Sequence, residues 1–265
     1  MSLPTIIGFT LSLFLFLGAI VESTSNFKIF LHLTGFLMVV GGTLAATLVA
    51  FEARYVKQSM GMLKAIFFSP KMARGMLTNE VARVIRWGYL VQKNGLAGLE
   101  SDVKTLKSQD AFLAYGVNLV ISGYTAAEVR QLLENQIETT FQRHTVPTEI
   151  LKYMASNAPA FGMMATLVGL VVMLDNMGTD PSKLGPGMAV GLLGTLYGVL
   201  FARLALMPAA EKGHQRESII RFRNMLVAEG LALIADRRNP RFIQDAMNSY
   251  LDPSIHFDID KAPKK

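Results

Sequence analysis

Thr166 and Thr195 are the side chains of this sequence best placed to touch a small cation, because each is a hydroxyl set into a run of small residues inside a long apolar segment. The first segment, Ala158 to Leu174, carries Pro159, Gly162, Thr166 and Gly169 at steps of three and four, so they share one helical face. The second, Gly187 to Met207, repeats the design with Gly191, Thr195, Gly198 and Ala202, while Leu192, Leu193, Leu196, Leu200 and Phe201 cover much of the rest. Small residues let a neighbouring backbone come close. The connection from Asp175 to Pro186, with Gly178, Pro181, Gly185 and Pro186, predicts an antiparallel hairpin. At about 1.5 Å per residue, both threonines then lie roughly 12 to 14 Å below one membrane surface, level with each other.

Neither segment contains a carboxylate. Proton and sodium paths place an ionisable group inside the bilayer because something must bind and release the ion. The apolar blocks hold only His32 and Arg203 within their limits, with Glu52 at the end of one, and Arg203 is near enough to Pro208 to snorkel to the interface. The pattern describes one wall of an ion path that needs a carboxylate from another subunit. A plainer alternative stays open: membrane threonines often bond back to a carbonyl one turn earlier. Pro159 reads either as a kink or as a coupling element, and Pro208 either as a helix stop or as a coupling element.

Around this hairpin, composition and patterning describe an integral membrane protein. Hydrophobic residues make up 51% of the chain and charged ones 17%, with a mean hydropathy of +0.34. The apolar residues are gathered into blocks, and Leu3 to Val21 and Ile29 to Phe51 are two more of spanning length, which predicts four spans. Leu3 to Val21 has neither a basic leader nor a small-x-small cleavage site, so it is expected to be retained. Lys and Arg crowd the connection after the second span (Arg54, Lys57, Lys64, Lys71, Arg74, Arg83, Arg86) and the tail after the fourth (Lys212, Arg216, Arg221, Arg223). The two short connections hold only Lys28 and Lys183, so the positive-inside rule puts both termini and the middle region in the cytoplasm. That bias accounts for the net charge of +6, and nucleic acid is not an expected partner. With no cysteine, thiol chemistry is excluded.

The region from Phe51 to Ile150 reads as helical. Asn79 to Val91 groups Val81, Val84, Ile85 and Gly88 on one side, with Arg83, Arg86 and Trp87 assigned to the other. Thr125-Ala-Ala-Glu128 is a capping box opening a helix with Val129, Leu132, Leu133, Ile137 and Phe141 inward, after a stop at Gly123. The tail from Glu211 to Met247 reads as helix broken at Asn239-Pro240. The expectation is an all-α polytopic membrane protein divided into residues 1–51 (two spans), 52–150 (cytoplasmic helical domain), 151–208 (two spans) and 209–265 (cytoplasmic helical tail). No phosphate-binding glycine loop, paired-histidine metal motif or nucleophile elbow is present, and the four histidines are scattered, so no enzyme activity, cofactor or metal site is expected.

Pro159-Ala-Phe-Gly-Met-Met-Ala-Thr166-Leu-Val-Gly-Leu, Leu184-Gly-Pro-Gly-Met-Ala-Val and Thr195-Leu-Tyr-Gly resemble the third and fourth helices of the flagellar stator proteins MotA and PomA, in the MotA/TolQ/ExbB superfamily. Val40-Gly-Gly-Thr43, Asn94 to Glu100 and Ile137 to His144 match further stretches of that family. The resemblance implies a homo-pentamer around a dimer of a MotB/PomB-type subunit that supplies the ion-binding aspartate, in the bacterial inner membrane, with the cytoplasmic loop pushing on the rotor protein FliG. It implies an ion pathway at Thr166, Thr195, Gly194 and Gly162, conformational coupling at Pro159 and Pro208, and rotor contact at Lys93 and Glu100. Two positions depart from the pattern: Gln92 stands where a basic residue is common, and Ser101 where sodium-type relatives often carry an acid. Thr166 suits sodium, whereas Gly194 replaces the second threonine expected of sodium-type members, which tips the expectation toward protons with sodium as the alternative. An energiser of the ExbB/TolQ type is the competing reading within the superfamily, and a non-transporting scaffold lies outside it; the Leu3 to Phe51 hairpin and the large middle region argue against the ExbB/TolQ type.

Overall fold

The computed structural model describes residues 3–65, 75–100, 110–177 and 184–261. Lys71, Arg74, Ser101, Gly178, Pro181 and Lys183 therefore lie outside the described residues. Among those described there is helix and turn and no strand, as the period of the apolar residues predicts. In chain order the helices are α1 (Leu3–Ser23), α2 (Leu33–Ala50), α3 (Ala53–Ala65), α4 (Met76–Asn94), α5 (Ala111–Ile121), α6 (Ala126–Asn176), α7 (Leu184–Leu200), a π-helical turn (Phe201–Leu206), α8 (Met207–Ala235) and α9 (Pro240–Asn248). Four of these runs are long and apolar enough to cross a bilayer: Thr5–Ser23, Leu33–Ala50, part of Ala126–Asn176 and part of Leu184–Ala235.

Two compact units are formed, one by Met1–Pro70 with His144–Arg216 and the other by Lys71–Arg143 with Glu217–Lys265. The first unit contains the apolar helices. Phe14, Leu15 and Val21 of α1 and Val49 of α2 are exposed, the pattern of a surface whose solvent is lipid. Inward, Ile150, Leu151, Met154 and Ala158 pack against Ala202, Leu206, Ala209 and Ala210. The second span begins later than its apolar run. Phe27–Phe30 forms a 3₁₀ turn, His32 is extended, and helix starts at Leu33. Tyr197 of α7 explains the delay, because its hydroxyl accepts the His32 N–H at 2.9 Å and donates to the Phe30 carbonyl, holding the turn open.

The second unit is built around side chains. Trp87, Leu113, Leu133, Leu226, Leu231 and Ile243 are fully buried in one cluster. Trp87 was expected on the outer side of its helix with Arg83 and Arg86, and it is instead at the core. Its position three residues after Val84 and four before Val91, both buried, puts it on their face. The capping box forms as expected: the Thr125 N–H and hydroxyl both donate to Glu128 Oε2 at 2.8 Å, and the Glu128 N–H donates to Thr125 Oγ1 at 3.3 Å. Those bonds hold the Glu128 carboxyl below its usual value, the backbone N–H of Thr125 contributing most. Gly123 closes α5 with φ of +81°, and Asn239 caps α9 with Pro240 in its first turn.

Candidate ion-path wall

The hairpin of α6 and α7 is held by the absence of side chains. A Cβ added at Gly162 would lie 2.8 Å from the Gly194 carbonyl oxygen, at Gly169 2.5 Å from that of Gly187, and at Gly198 2.6 Å from that of Ala158. Backbone thus touches backbone along the whole seam, which only glycine permits at these points. On the other side of α7, Gly35 of α2 sits 3.4 Å, by the same measure, from the Val190 carbonyl.

The two threonines meet inside this seam. Thr166 Oγ1 and Thr195 Oγ1 are 2.7 Å apart, both half-buried. Thr166 Oγ1 is also 2.9 Å from the Gly191 carbonyl and 3.2 Å from that of Gly162, and Thr195 Oγ1 is 3.4 Å from the Gly162 carbonyl. Each hydroxyl has one proton to give, so the bond between them can run in either of two directions. In one, Thr195 donates to Thr166, which donates to the Gly191 or the Gly162 carbonyl. In the other, Thr166 donates to Thr195, which donates to Gly162. Rotating both hydroxyls reverses the direction of the chain of bonds without moving a heavy atom. A cavity of about 70 Å³ opens beside Thr166, lined by Leu170, Gly187, Met188, Gly191 and Leu192, large enough for water.

Gly194 decides how many hydroxyls this wall can carry. A Cβ there would be 2.4 Å from the Ala165 Cβ, a contact that real side chains do not make. A threonine at 194 would push α6 and α7 apart. Glycine at this position is a consequence of the close packing that brings Thr166 and Thr195 together.

Pro159 lies inside the unbroken helix α6, as does Pro147. Its Cα would stand 3.1 Å from a Cβ at Gly198, and it lines a cavity of about 250 Å³ with Lys152, Ser156, Ala202 and Arg203. Lys152 makes ion pairs with Glu211 at 3.5 Å and Glu149 at 3.9 Å. Pro208 does not stop the fourth helix, contrary to the stop reading. The helix runs on from Leu184 through the π turn to Ala235, and Pro208 is exposed in the first turn of α8. A proline has no N–H and its ring crowds the carbonyl four residues back. The wider i to i+5 turn immediately before it, seen in the Met207 N–H bonding to the Ala202 carbonyl, gives that carbonyl room.

In the other unit, Lys93 is exposed in the last turn of α4 and Glu100 is exposed after the 3₁₀ turn Leu96–Leu99. A cation in a last turn is favoured by the helix dipole, which is the plain account of Lys93. Two features escaped the sequence reading. Tyr197 lies in the matched Thr195-Leu-Tyr-Gly motif, but its tether to the 27–32 turn spans 165 residues of sequence and has no local signal. Arg223, read as part of a basic rim, is buried and bonds to Glu80 Oε1 at 2.7 Å and Asp110 Oδ2 at 2.6 Å. Glu80 also takes Arg83 at 3.0 Å, so two arginines and two carboxylates balance.

Comparison with known proteins agrees with this geometry. The family model described as MotA/TolQ/ExbB proton channel family matches residues 104–225. The chemotaxis protein PomA of Vibrio alginolyticus is 31% identical over 95% of this chain and 96% of its own length. Motility protein A of Cereibacter sphaeroides is 32% identical over 84% of this chain and 85% of its own. In fold, the chain is similar to the flagellar MotAB stator complex from Bacillus subtilis, with a TM-score of 0.83, 22% identity and 96% of both chains covered. The chain belongs to the MotA/TolQ/ExbB proton channel family, alongside its MotA and PomA members.

Proposed function

We propose that this chain is the ring subunit of a flagellar stator, a multi-pass protein of the bacterial inner membrane that couples cation flow to torque. Five copies surround a MotB/PomB-type subunit, whose single membrane helix presents an aspartate to the Thr166/Thr195 face. Ion binding and release at that aspartate turn the ring about its core, and the unit holding Lys93 and Glu100 pushes on the rotor protein FliG. Both termini and the middle region are cytoplasmic in this reading, which the distribution of Lys and Arg supports. Pro159, backed by Gly198 and beside the Arg203 cavity, and Pro208, after its π turn, are the points where the helices yield during the stroke.

The observation that carries this reading is the hydroxyl pair at 2.7 Å in a glycine seam whose own spans contain no carboxylate. Such a wall can hand an ion to a partner's carboxylate and cannot hold one by itself. Relatives of near-full coverage include the chemotaxis protein PomA and several proteins named motility protein A, which favours a flagellar role over the ExbB/TolQ type.

Protons are the carried ion in this proposal. Sodium must have most of its hydration shell replaced by oxygen ligands, whereas a proton needs only water, a hydroxyl chain and the carboxylate. The reversible Thr166–Thr195 pair suits the second task, and the Ala165 Cβ excludes a third hydroxyl at Gly194. The test is swimming speed in a host without its own stators, expressing this chain with its MotB/PomB-type partner, measured against external sodium at fixed pH and with a protonophore. Speed should ignore sodium and vanish with the protonophore. Sodium-dependent, protonophore-resistant swimming overturns the ion assignment, and no swimming from an assembled complex overturns the stator role.

A further inference from the structure

The four apolar runs of the chain contain one arginine, Arg203, and no lysine. Counted from Gly187, Arg203 lies about 24 Å into a hydrocarbon layer of about 30 Å, short of its far edge. It makes no hydrogen bond or ion pair with any described residue. A charge at such a depth is costly, and it marks an ion pathway or a partner that the charge meets.

Arg203 shares a face with the threonine pair. Thr195, Val199 and Arg203 follow at steps of four; Val199 and Arg203 are exposed and Thr195 is half-buried. Roughly 12 Å of helix separates Arg203 from Thr195. Arg203 is carried by the π turn Phe201–Leu206, an insertion that recurs at functional sites. Long side chains lean toward the N-terminus of their own helix, which here is toward Thr195. The cavity of about 250 Å³ beside Arg203 reaches along α6 through Ser156 to Pro159 and is large enough for water. Lys152, the other cation of its lining, is taken by Glu149 and Glu211, so Arg203 is the lining charge without a counter-ion. Anchoring at the headgroups does not account for this placement, because a snorkelling arginine gains as much on any face of the helix.

We propose that Arg203 discharges the ion path: its guanidinium pairs with the ion-carrying carboxylate of the MotB/PomB-type subunit and so drives the ion off into the cavity beside Pro159. The assignment rests on the stator reading above and deepens it, adding the group that empties the carboxylate to the wall that fills it. A guanidinium stays charged throughout and favours the ionised form of a carboxylate near it. The carboxylic acid that has passed the Thr166–Thr195 hydroxyls gives its proton to water in the cavity, and its O–H bond breaks as that water becomes hydronium and passes the proton on to bulk water. The carboxylate is left as the anion against Arg203, which itself neither gains nor loses a proton. A sodium ion in place of the proton would leave to the same water.

The experiment measures bead rotation at low load and near stall in the host without its own stators, with the partner subunit co-expressed. Near stall the cycle runs close to equilibrium, so torque depends on the free energy of the ion and not on how fast it leaves. At low load, release sets the pace. One opposite charge changes the hold of a carboxylate on its ion by about tenfold or more, so low-load speed in Arg203→Gln should fall about fivefold or more. The yield of assembled complex should match wild type, because the side chain is exposed and bonds to nothing in the fold, and most of the near-stall torque should remain. Arg203→Lys keeps the charge and should retain most of both. Wild-type low-load speed in Arg203→Gln, an equal fractional loss at both loads, or Arg203→Lys as slow as Arg203→Gln overturns the discharge role and leaves the stator reading intact. A wild-type complex that assembles and drives no rotor overturns both.

Discussion

The membrane hairpin and the second unit keep their helices together by opposite means. In the hairpin, Gly162, Gly169 and Gly198 let carbonyls approach where any side chain would collide. In the second unit, Trp87, Leu133 and Leu231 fill the space between helices. The difference follows from solvent. Water drives apolar side chains together, whereas lipid gives them no reason to leave it, so membrane helices associate through close backbone contact and hydrogen bonds. Polar groups follow the same division. The core of the second unit contains a full ionic network at Arg223, Glu80 and Asp110, and the membrane seam contains two hydroxyls.

The largest effect should come from that ionic network. Arg223→Met leaves the Glu80 carboxylate buried with Arg83 as its remaining cation and removes the 2.6 Å partner of Asp110. Breaking one side of a buried pair costs about 3 to 5 kcal/mol. Amide hydrogen exchange should quicken throughout α4, α5 and the 217–235 part of α8, with the apolar helices unchanged. Unchanged protection there would mean that the network is exposed to water in solution.

Gly169→Ala is the matching break in the hairpin. Its Cβ meets backbone at 2.5 Å, which cannot rotate away, so α6 and α7 must separate. Overpacking of this kind costs about 1 to 3 kcal/mol. A lower thermal midpoint and less assembled complex in detergent are the expected results. An unaltered midpoint would show that the seam opens easily and that glycine is not needed for its packing.

Thr195→Ala sharpens the comparison, since it removes chemistry and leaves the seam. Stability should change by no more than about 1 kcal/mol, as the Thr166 hydroxyl keeps the Gly191 carbonyl. Torque should fall severely with the complex still assembled. The double variant with Thr166→Ala should lose little more, because two groups that act as one chain of bonds are not additive. Normal torque in Thr195→Ala would reduce the pair to local packing.

These contrasts explain what the sequence could and could not disclose. Periodic features were legible: the four apolar runs, the capping box at Thr125 and the break at Pro240 each depend on neighbours within one or two turns. The level placement of Thr166 and Thr195 was also legible, since a short hairpin makes depth a matter of counting residues. Long-range pairings were not. Nothing near Arg223 marks it as the partner of Glu80, 143 residues away, and a basic residue in a basic tail reads as surface. Trp87 was misplaced because a polar helix with arginines on either side hides which three-to-four spacing the core selects. For Pro208 a stop stays open beside a coupling role, because the π turn that accommodates it has no signature in the residues before it.

The smallest effect separates the two regions by pH. The Glu128 carboxyl is held below its usual value by the Thr125 N–H and hydroxyl, so its contribution to the start of α6 is fully present above the ordinary glutamate range of about 4.3. It is lost as pH falls through the lowered folded value. Glu128→Gln should therefore speed amide exchange at Ala126 to Val129 near neutral pH, and the gap from wild type should close as acid protonates the carboxylate. The hairpin between Pro159 and Leu174 and between Gly187 and Leu200 contains no carboxylate or histidine, so protection there should not respond over the same acid range. Acid-dependent exchange at Thr166 or Thr195 would mean that opening of the seam is coupled to titration elsewhere in the chain, and the division between a titrating second unit and a silent membrane wall would fail.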